Sequence, residues 1–116
     1  MRVINIKKDM PNSEYAIFLM EKEIDILRAM GENILIVVHG YGSSGEGGLI
    51  KREVKRDLER LKHFNKILDY VEGEKCGETN EVYRTICSKF PELVINKDLG
   101  NLNSGVTLVW IQKSDK

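Results

Sequence analysis

Residues 34–54 read ILIVVHGYGSSGEGGLIKREV, and this stretch decides the fold. It begins with five aliphatic residues, which predict a buried strand over 34–38. His39 and a segment with five glycines follow at once, and a basic amphipathic stretch typical of a helix comes next. Glycines let the backbone approach a ligand closely, and the N-terminus of a helix attracts negative charge. Strand, glycine-rich loop and helix together therefore predict an anion site, with phosphate as the expected anion.

Two other kinds of site contain similar sequences. Residues 40–45 read GYGSSG, which satisfies the G-x-G-x-x-G fingerprint of dinucleotide-binding domains. That fingerprint normally opens its fold, and the chain is too short for a dinucleotide domain plus a substrate domain. Residues 37–45 also resemble the oxyanion loop of α/β-hydrolases, but those enzymes need a later G-x-S-x-G nucleophile, which this sequence lacks. Both alternatives therefore explain less of the chain than a general phosphate site does.

The spacing of apolar residues predicts the remaining elements. Strands are expected at 3–6, 34–38, 67–71 and 105–111, and helices at 13–30, at 48–62 and between a cap at Thr79 or Asn80 and Pro91. Leu93–Ile95 adds a candidate short strand. The order is β-α-β-α-β-(α)-β. This order predicts an α/β (α+β) fold, a two-layer sandwich with a mixed sheet of four to five strands.

The glycine motif and its surroundings resemble the small MutS-related (Smr) domain family. That family has a strand ending in H-G-x-G, and residues 39–42 here read HGYG. Its next helix has aliphatic and basic residues in a fixed order, matched by Ile50, Lys51, Val54 and Leu58. A late strand of the type G-V-T-V-V is matched by GVTLV at 105–109. The resemblance spans nearly the whole chain and implies nucleic-acid binding on a topology like that of the C-terminal domain of bacterial translation initiation factor three.

The chain also departs from the family pattern. An N-terminal L-D-x-H motif implicated in nuclease activity is missing, and Asn5 and Lys7 stand where its Asp and His would be. The glycine-rich loop is longer than usual. A helical segment at about 75–98 is expected as an insertion into a single domain over 1–116, from helix periodicity. These departures weaken the expectation of cleavage more than that of binding.

Composition bounds the function further. The 116 residues suit one domain, and the formal net charge is zero. Basic residues are concentrated after the glycines, with seven Lys or Arg against four acids in 41–66, whereas 67–98 has four against seven. No signal peptide or membrane span is evident, so a cytoplasmic location is expected. Cys87 is predicted to be a buried thiol, and His63 to be a surface residue.

The candidate site residues follow from the loop and the resemblance. His39 is the catalytic candidate, as a general base or a donor to phosphate, although it could instead order the loop by hydrogen bonding. No metal-ligand spacing is present, and a divalent metal is expected only if the chain is a nuclease. The predicted nucleic-acid or phosphate contacts are Asn5, Lys7, Gly40, Tyr41, Gly42, Ser43, Ser44, Gly45, Lys51, Arg52 and Lys55.

The sequence thus favours a domain that binds DNA or RNA by structure rather than by base sequence, with weak endonuclease activity implied by the resemblance. Zero net charge and the missing motif favour an alternative. In that alternative the same fold is a non-catalytic protein-interaction module, or it binds a nucleotide or a small phosphate. No membrane partner is expected. Protein partners remain open in both interpretations.

Overall fold

The structure, a computed structural model, describes residues 1–8, 12–40, 46–97 and 99–114, without the side chains of 46–48 and 101. Its strands are β1 (Arg2–Asn5), β2 (Ile34–Val38), β3 (Ile67–Glu72) and β4 (Val106–Ile111). Its α-helices are α1 (Ser13–Met30), α2 (Glu46–His63) and α3 (Glu81–Lys89). Short 3-10 helices cover Gly73–Lys75, Pro91–Ile95 and Gly100–Leu102.

The four strands form one mixed sheet in the order β1-β2-β4-β3. β1 and β2 are parallel and are joined through α1, whereas β4 is antiparallel to both β2 and β3. The predicted α+β class and mixed sheet are therefore confirmed.

The short strand predicted at Leu93–Ile95 is wrong, because Pro91–Ile95 is a 3-10 helix. Pro91 fixes its own φ in a helical range at the first position. The amide of Leu93 then donates to the carbonyl of Phe90 at 3.1 Å, and the amide of Asn96 to that of Leu93 at 3.2 Å. These i to i+3 bonds are those of a 3-10 helix. The apolar residues at 93–95 resemble a strand in sequence, but their backbone bonds close locally.

The sheet separates two apolar clusters. Alternate residues of β2 point to opposite faces, so Leu35 and Val37 pack under α1 and α2, while Ile34 and Ile36 pack under the segment that contains α3. This double burial explains the continuous apolar run of β2. Helices α1 and α2 on one face form the predicted two-layer sandwich. The segment expected as an insertion covers the other face.

Capping residues define the ends of α1 and α3. The side chain of Asn12 accepts from the amide of Tyr15 at 2.8 Å, and Gly31 ends α1 in the left-handed conformation with φ of +76°. Asn80, rather than Thr79, caps α3 by accepting from the amide of Tyr83 at 2.8 Å. Each asparagine cap satisfies a backbone donor that the helix leaves unpaired, whereas the amide of Gly31 donates to carbonyl oxygens of the last turn of α1.

The cysteines differ from the prediction. Cys87 is half-buried, and Cys76 is the buried thiol of the pair. The fully buried residue of α3 is its neighbour Ile86, so Cys87 lies at the border of the apolar face. Burial raises the pKa of Cys76 to about 12. His63 is exposed as predicted. Among the described residues, no helix is long and apolar enough to cross a bilayer.

Candidate functional site

Three strands end at one edge of the sheet. β1 is parallel to β2, and β3 also runs parallel to β2 because both are antiparallel to β4. We call the residues at this end the carboxyl edge: 5–7, 38–40, 72–75 and 103–106. Sheets of this kind commonly place ligands outside the carboxyl ends of parallel strands. Ligand-binding residues are therefore expected at the carboxyl edge.

The edge brings Lys7 and Gly40 together. The amide of Ile6 donates to the carbonyl of Val38 at 3.0 Å, which extends the pairing of β1 and β2 by one step. Gly40 has a φ of +87°, a conformation that favours glycine, and a Cβ at this position would lie 3.1 Å from Cδ of Lys7. A lysine side chain thus lies directly against the start of the glycine-rich segment. Asn5 is exposed, and its Oδ1 accepts from the amide of Lys7 at 3.0 Å.

The turn before β4 holds the start of the glycine-rich segment. The carbonyl of Gly105 accepts from the amides of His39 at 2.9 Å and of Gly40 at 3.0 Å. The amide of Gly105 in turn donates to Oδ1 of Asn103 at 2.9 Å. The amide of Gly40 is thus already engaged within the protein. Amide contacts to a phosphate would therefore have to come from residues after Gly40. The predicted contacts Tyr41, Gly42, Ser43, Ser44 and Gly45 lie outside the described residues.

His39 is buried in the edge. Its side chain has no solvent exposure (0%), its Nδ1 lies 3.0 Å from the carbonyl oxygen of Gly40, and its Nε2 lies 2.8 Å from Oγ1 of Thr107. A carbonyl oxygen can only accept, so Nδ1 carries the proton and Nε2 accepts from the Thr107 hydroxyl. Burial lowers the pKa of His39, and the charge of Lys51 lowers it further, against smaller opposing contributions. The imidazole is therefore neutral at neutral pH, with both nitrogens occupied.

These contacts favour an ordering role for His39 over the catalytic role that its sequence context also allowed. A general base needs a free nitrogen within reach of the substrate. Here both nitrogens are held by groups of the protein, one of them at the start of the glycine-rich segment. Thr107 is a site residue that the sequence analysis missed. The sequence does mark Thr107, because it is the one hydroxyl residue in the otherwise apolar strand VTLVWI.

Two predicted phosphate contacts on α2 are engaged in ion pairs. Nζ of Lys51 lies 2.8 Å from Oε2 of Glu74, and Nζ of Lys55 lies 3.4 Å from Oε1 of Glu72. Burial alone would raise the pKa of Glu74, but the hydrogen bond and charge of Lys51 lower it overall. Nζ of Lys75 lies 3.5 Å from the same oxygen of Glu72, in a second ion pair. The two acids, which sequence reasoning did not single out, therefore balance part of the positive charge at the edge.

The two lysines are held differently. The Lys51 side chain is only 22% exposed and its contact is hydrogen-bonded, whereas Lys55 is 52% exposed and more distant from its partner. An exposed ion pair contributes about 0–1 kcal/mol and exchanges readily for another anion. Arg52 is exposed and makes no ion pair with any residue that the structure describes. Of the predicted contacts, Lys7, Arg52 and Lys55 are therefore the cations that remain accessible to a ligand.

A metal centre has no support in this arrangement. Among the described side chains, no group of three or more His, Cys, Asp or Glu lies close enough to hold a metal ion. The carboxylates of the edge, Glu72 and Glu74, are each paired with a lysine rather than grouped as a set of oxygen ligands. Its chemistry suits an anion.

The chain matches no known family model, no curated protein and no solved structure. The resemblance to Smr domains therefore rests on its sequence motifs.

Proposed function

We propose that this domain binds the phosphate backbone of nucleic acid at its carboxyl edge. The observation that carries the proposal is the contact of Lys7 with Gly40, which places the aliphatic stem of a cationic side chain against the start of the glycine-rich segment, where β1 and β2 end. Lysine is a common phosphate ligand, and it acts as a flexible point charge. The domain would bind DNA or RNA.

The charges around this contact support the proposal. Arg52 is exposed on the second turn of α2. Lys55 follows three residues later, a little less than one helical turn. With Lys7 they form a set of three accessible cations, although the whole chain has zero net charge. Lys51 has a different part in this proposal, because its ion pair with Glu74 fixes α2 against the 3-10 helix Gly73–Lys75. The proposed surface thus runs from the end of β1 to α2 beside β3, across the width of the sheet.

Such a surface would contact phosphates without reading bases. Phosphate contacts position a protein on nucleic acid, while sequence is read from base edges or from the shape of the duplex. Binding by three cations would weaken with salt, with a slope of roughly −0.7 to −0.9 in log K against log salt for each phosphate contacted. We therefore expect structure-selective, salt-sensitive binding of modest strength.

The proposal does not include cleavage through His39. The resemblance implies endonuclease activity, but His39 is buried and both of its ring nitrogens are engaged. The direct test is nicking of supercoiled plasmid by the wild type and by His39→Ala. Nicking that the substitution abolishes, in a variant that remains folded, would return His39 to a catalytic role.

A small phosphate ligand is the second candidate. Glu72 and Glu74 lie beside Lys55 and Lys51, so a long polyanion would meet acids as well as cations. A single phosphate or a nucleotide would need only one accessible cation, such as Lys7 beside Gly40. A rise in melting temperature with nucleotides or inorganic phosphate, without binding to nucleic acid, would favour this candidate.

The deciding experiment is fluorescence anisotropy with branched DNA, single-stranded DNA and single-stranded RNA over a series of salt concentrations. We expect Lys7→Ala and Arg52→Ala each to weaken binding and to reduce the salt slope by about one contact. Lys89→Ala is the matched control, because Lys89 is exposed on α3 at the other face of the sheet. Undetectable binding at low salt, or equal losses in all three variants, would refute the proposal. A cytoplasmic location is part of the proposal, and the two unpaired cysteines support it.

A further inference from the structure

Helix α1 has a second apolar stripe in addition to its buried one. Its core side consists of the buried residues Ala16, Met20, Ile24 and Leu27. Four other large apolar residues are exposed: Tyr15 by 52%, Phe18 by 57%, Ile26 by 41% and Met30 by 60%. At 100° per residue these four lie within an arc of about 120°, as one pair near the N-terminus of the helix and one pair near its C-terminus. We call them the outer stripe.

The outer stripe faces away from the rest of the domain. On one side of it Glu21 accepts Arg60 of α2 at 2.7 Å, and on the other side Glu23 pairs with Arg2 of β1 at 2.8 Å. The stripe lies on the helix surface between these two contacts. The two sides of α1 therefore contact α2 and β1, and the outer stripe between them is exposed to solvent.

The outer stripe has features of a contact surface rather than of scattered exposure. The rings of Tyr15 and Phe18 are stacked, with centroids 6.1 Å apart and an interplanar angle of 22°. Aromatic residues are enriched at interfaces because they supply large contact area at a small cost in conformational entropy. Exposed apolar residues grouped on one side of a single element commonly mark a binding site. The remaining question is which partner fits.

The charges within the stripe indicate that the partner is a second copy of the chain. Lys22 and Asp25 lie between the aromatic pair and the pair Ile26 and Met30, and both are exposed. Neither forms an ion pair with any other residue that the structure describes. Along the helix axis, Lys22 and Asp25 lie near the centre of the outer stripe. The point midway between them is about one residue, or ~1.5 Å, from the point midway between Tyr15 and Met30. Two antiparallel copies of α1 related by a twofold axis near this point would therefore place opposite charges and apolar ends against each other.

We propose that the outer stripe is a homodimer interface, formed by antiparallel packing of α1 from two copies. Lys22 of each copy pairs with Asp25 of the other, and the aromatic end of each stripe packs on the aliphatic end of its partner. A twofold interface must be self-complementary, and this arrangement of charges satisfies that requirement. The contact is only one helix wide, whereas stable interfaces bury about 800 Å² on each partner. Association is therefore weak and depends on protein concentration.

Sedimentation equilibrium of the intact chain, from micromolar to millimolar protein, tests the proposal. We expect the wild type to pass from monomer to dimer in this range and Phe18→Glu to remain monomeric. Lys22→Asp and Asp25→Lys should each abolish dimerisation alone, since each places like charges in opposition. Because the two single variants carry complementary charges, mixing them should restore a dimer. The double variant Lys22→Asp/Asp25→Lys should also dimerise.

The control is Lys89→Asp, which makes the same change of charge on the exposed surface of α3 and should dimerise like the wild type. Circular dichroism of each variant verifies that it is folded. A wild type that remains monomeric at millimolar concentration would overturn the proposal, and so would a mixture of the two single variants that remains monomeric. The outcome is independent of nucleic-acid binding, because the carboxyl edge is not part of the outer stripe.

Discussion

The Nε2 atom of His39 lies 2.8 Å from Oγ1 of Thr107, in a position where neither side chain is exposed by more than 3%. This hydrogen bond joins the end of β2 to the second residue of β4. Together with the two amides that donate to Gly105, it fixes the start of the glycine-rich segment relative to the sheet. The histidine of the HGYG motif is thus part of the scaffold of the carboxyl edge.

Replacement of Thr107 by valine should destabilise the domain. The substitution keeps a side chain of similar shape but removes the donor to Nε2, and a buried acceptor without its donor costs about 1–3 kcal/mol. Urea denaturation monitored by circular dichroism measures the loss. Thr107→Ser retains the hydroxyl and is the control, with only the smaller cost of a lost methyl group. Equal stability of the serine and valine variants would contradict the hydrogen bond.

A second prediction concerns Gly73, which follows β3. A Cβ at this position would overlap the carbonyl oxygen of Asn103 and would lie 2.8 Å from that of Val106. Both are backbone atoms of the turn that also holds His39 and Gly40, so Gly73→Ala must displace that turn. Overpacking of this kind typically costs 1–3 kcal/mol, or somewhat more, in unfolding free energy.

Gly100→Ala is the matched control for Gly73→Ala. A Cβ at Gly100 meets no atom within 4 Å, so that substitution should be neutral or stabilise the domain by about 0.4–1 kcal/mol through the unfolded chain. Differential scanning calorimetry compares the two variants. A Gly73→Ala variant with the melting temperature of the wild type would show that the close approach does not exist in solution.

A third prediction is a pH dependence of stability from Asp57. Burial raises the pKa of Asp57 to about 7, assisted by the neighbouring carboxylate of Glu21. Arg60 contacts Oδ1 of Asp57 at 3.1 Å, whereas Oδ2 is buried and receives no hydrogen bond from the described residues. The folded state therefore binds a proton more tightly than the unfolded state, whose Asp has its ordinary pKa near 3.8. The contribution of Asp57 to stability is fully present below this value and is lost as the pH rises to 7.

Comparison with Asp57→Asn separates the pair of Asp57 and Glu21 from the other groups, because the pKa of Glu21 is lowered chiefly by its hydrogen bond with Asp57. The lowered pKa of His39 acts in the opposite direction, since it removes stability as the pH falls below 6.5. Because the histidine is common to both proteins, its contribution cancels in the difference. We expect the asparagine variant to gain stability relative to the wild type as the pH rises from about 4 to about 7, and to gain little more above pH 7. A difference that is constant with pH in urea denaturation would show that Asp57 is ionised throughout this range.

Much of the fold could be predicted from local sequence because local interactions determine it. The bounds of α1 follow from the cap at Asn12 and the glycine at its C-terminus, and the run Ile34–Val38 is buried on both faces as its composition indicates. Leu93–Ile95 could not be assigned in this way, since apolar residues of a short segment fit a strand and a 3-10 helix equally well. There, the amide hydrogen bonds that follow Pro91 decide the structure.

The location of the candidate site could be predicted from the sequence, but the ion-pair partners of its residues could not. The sequence placed His39, Gly40 and the lysines of α2 near one another, because a strand, a loop and a helix are adjacent in the chain. It could not show that Glu74, 23 residues from Lys51, would neutralise that lysine. Such long-range pairs depend on how β3 and the following 3-10 helix pack against α2. The residues that were not foreseen are therefore those that the tertiary fold brings to the edge.

Replacement of Glu74 by glutamine should strengthen binding of nucleic acid if the carboxyl edge is the binding surface. The substitution removes a negative charge 2.8 Å from Nζ of Lys51 and leaves that lysine available to a phosphate. One additional phosphate contact would raise the magnitude of the salt slope by about 0.7–0.9. Glu92→Gln makes the same change of charge at an exposed position of the 3-10 helix Pro91–Ile95 and should alter binding much less. Anisotropy titrations of both variants over a salt series distinguish a specific contact from a change in net charge. Equal gains in the two variants would mean that the edge attracts nucleic acid only through overall charge, and a gain in neither would place the binding surface elsewhere.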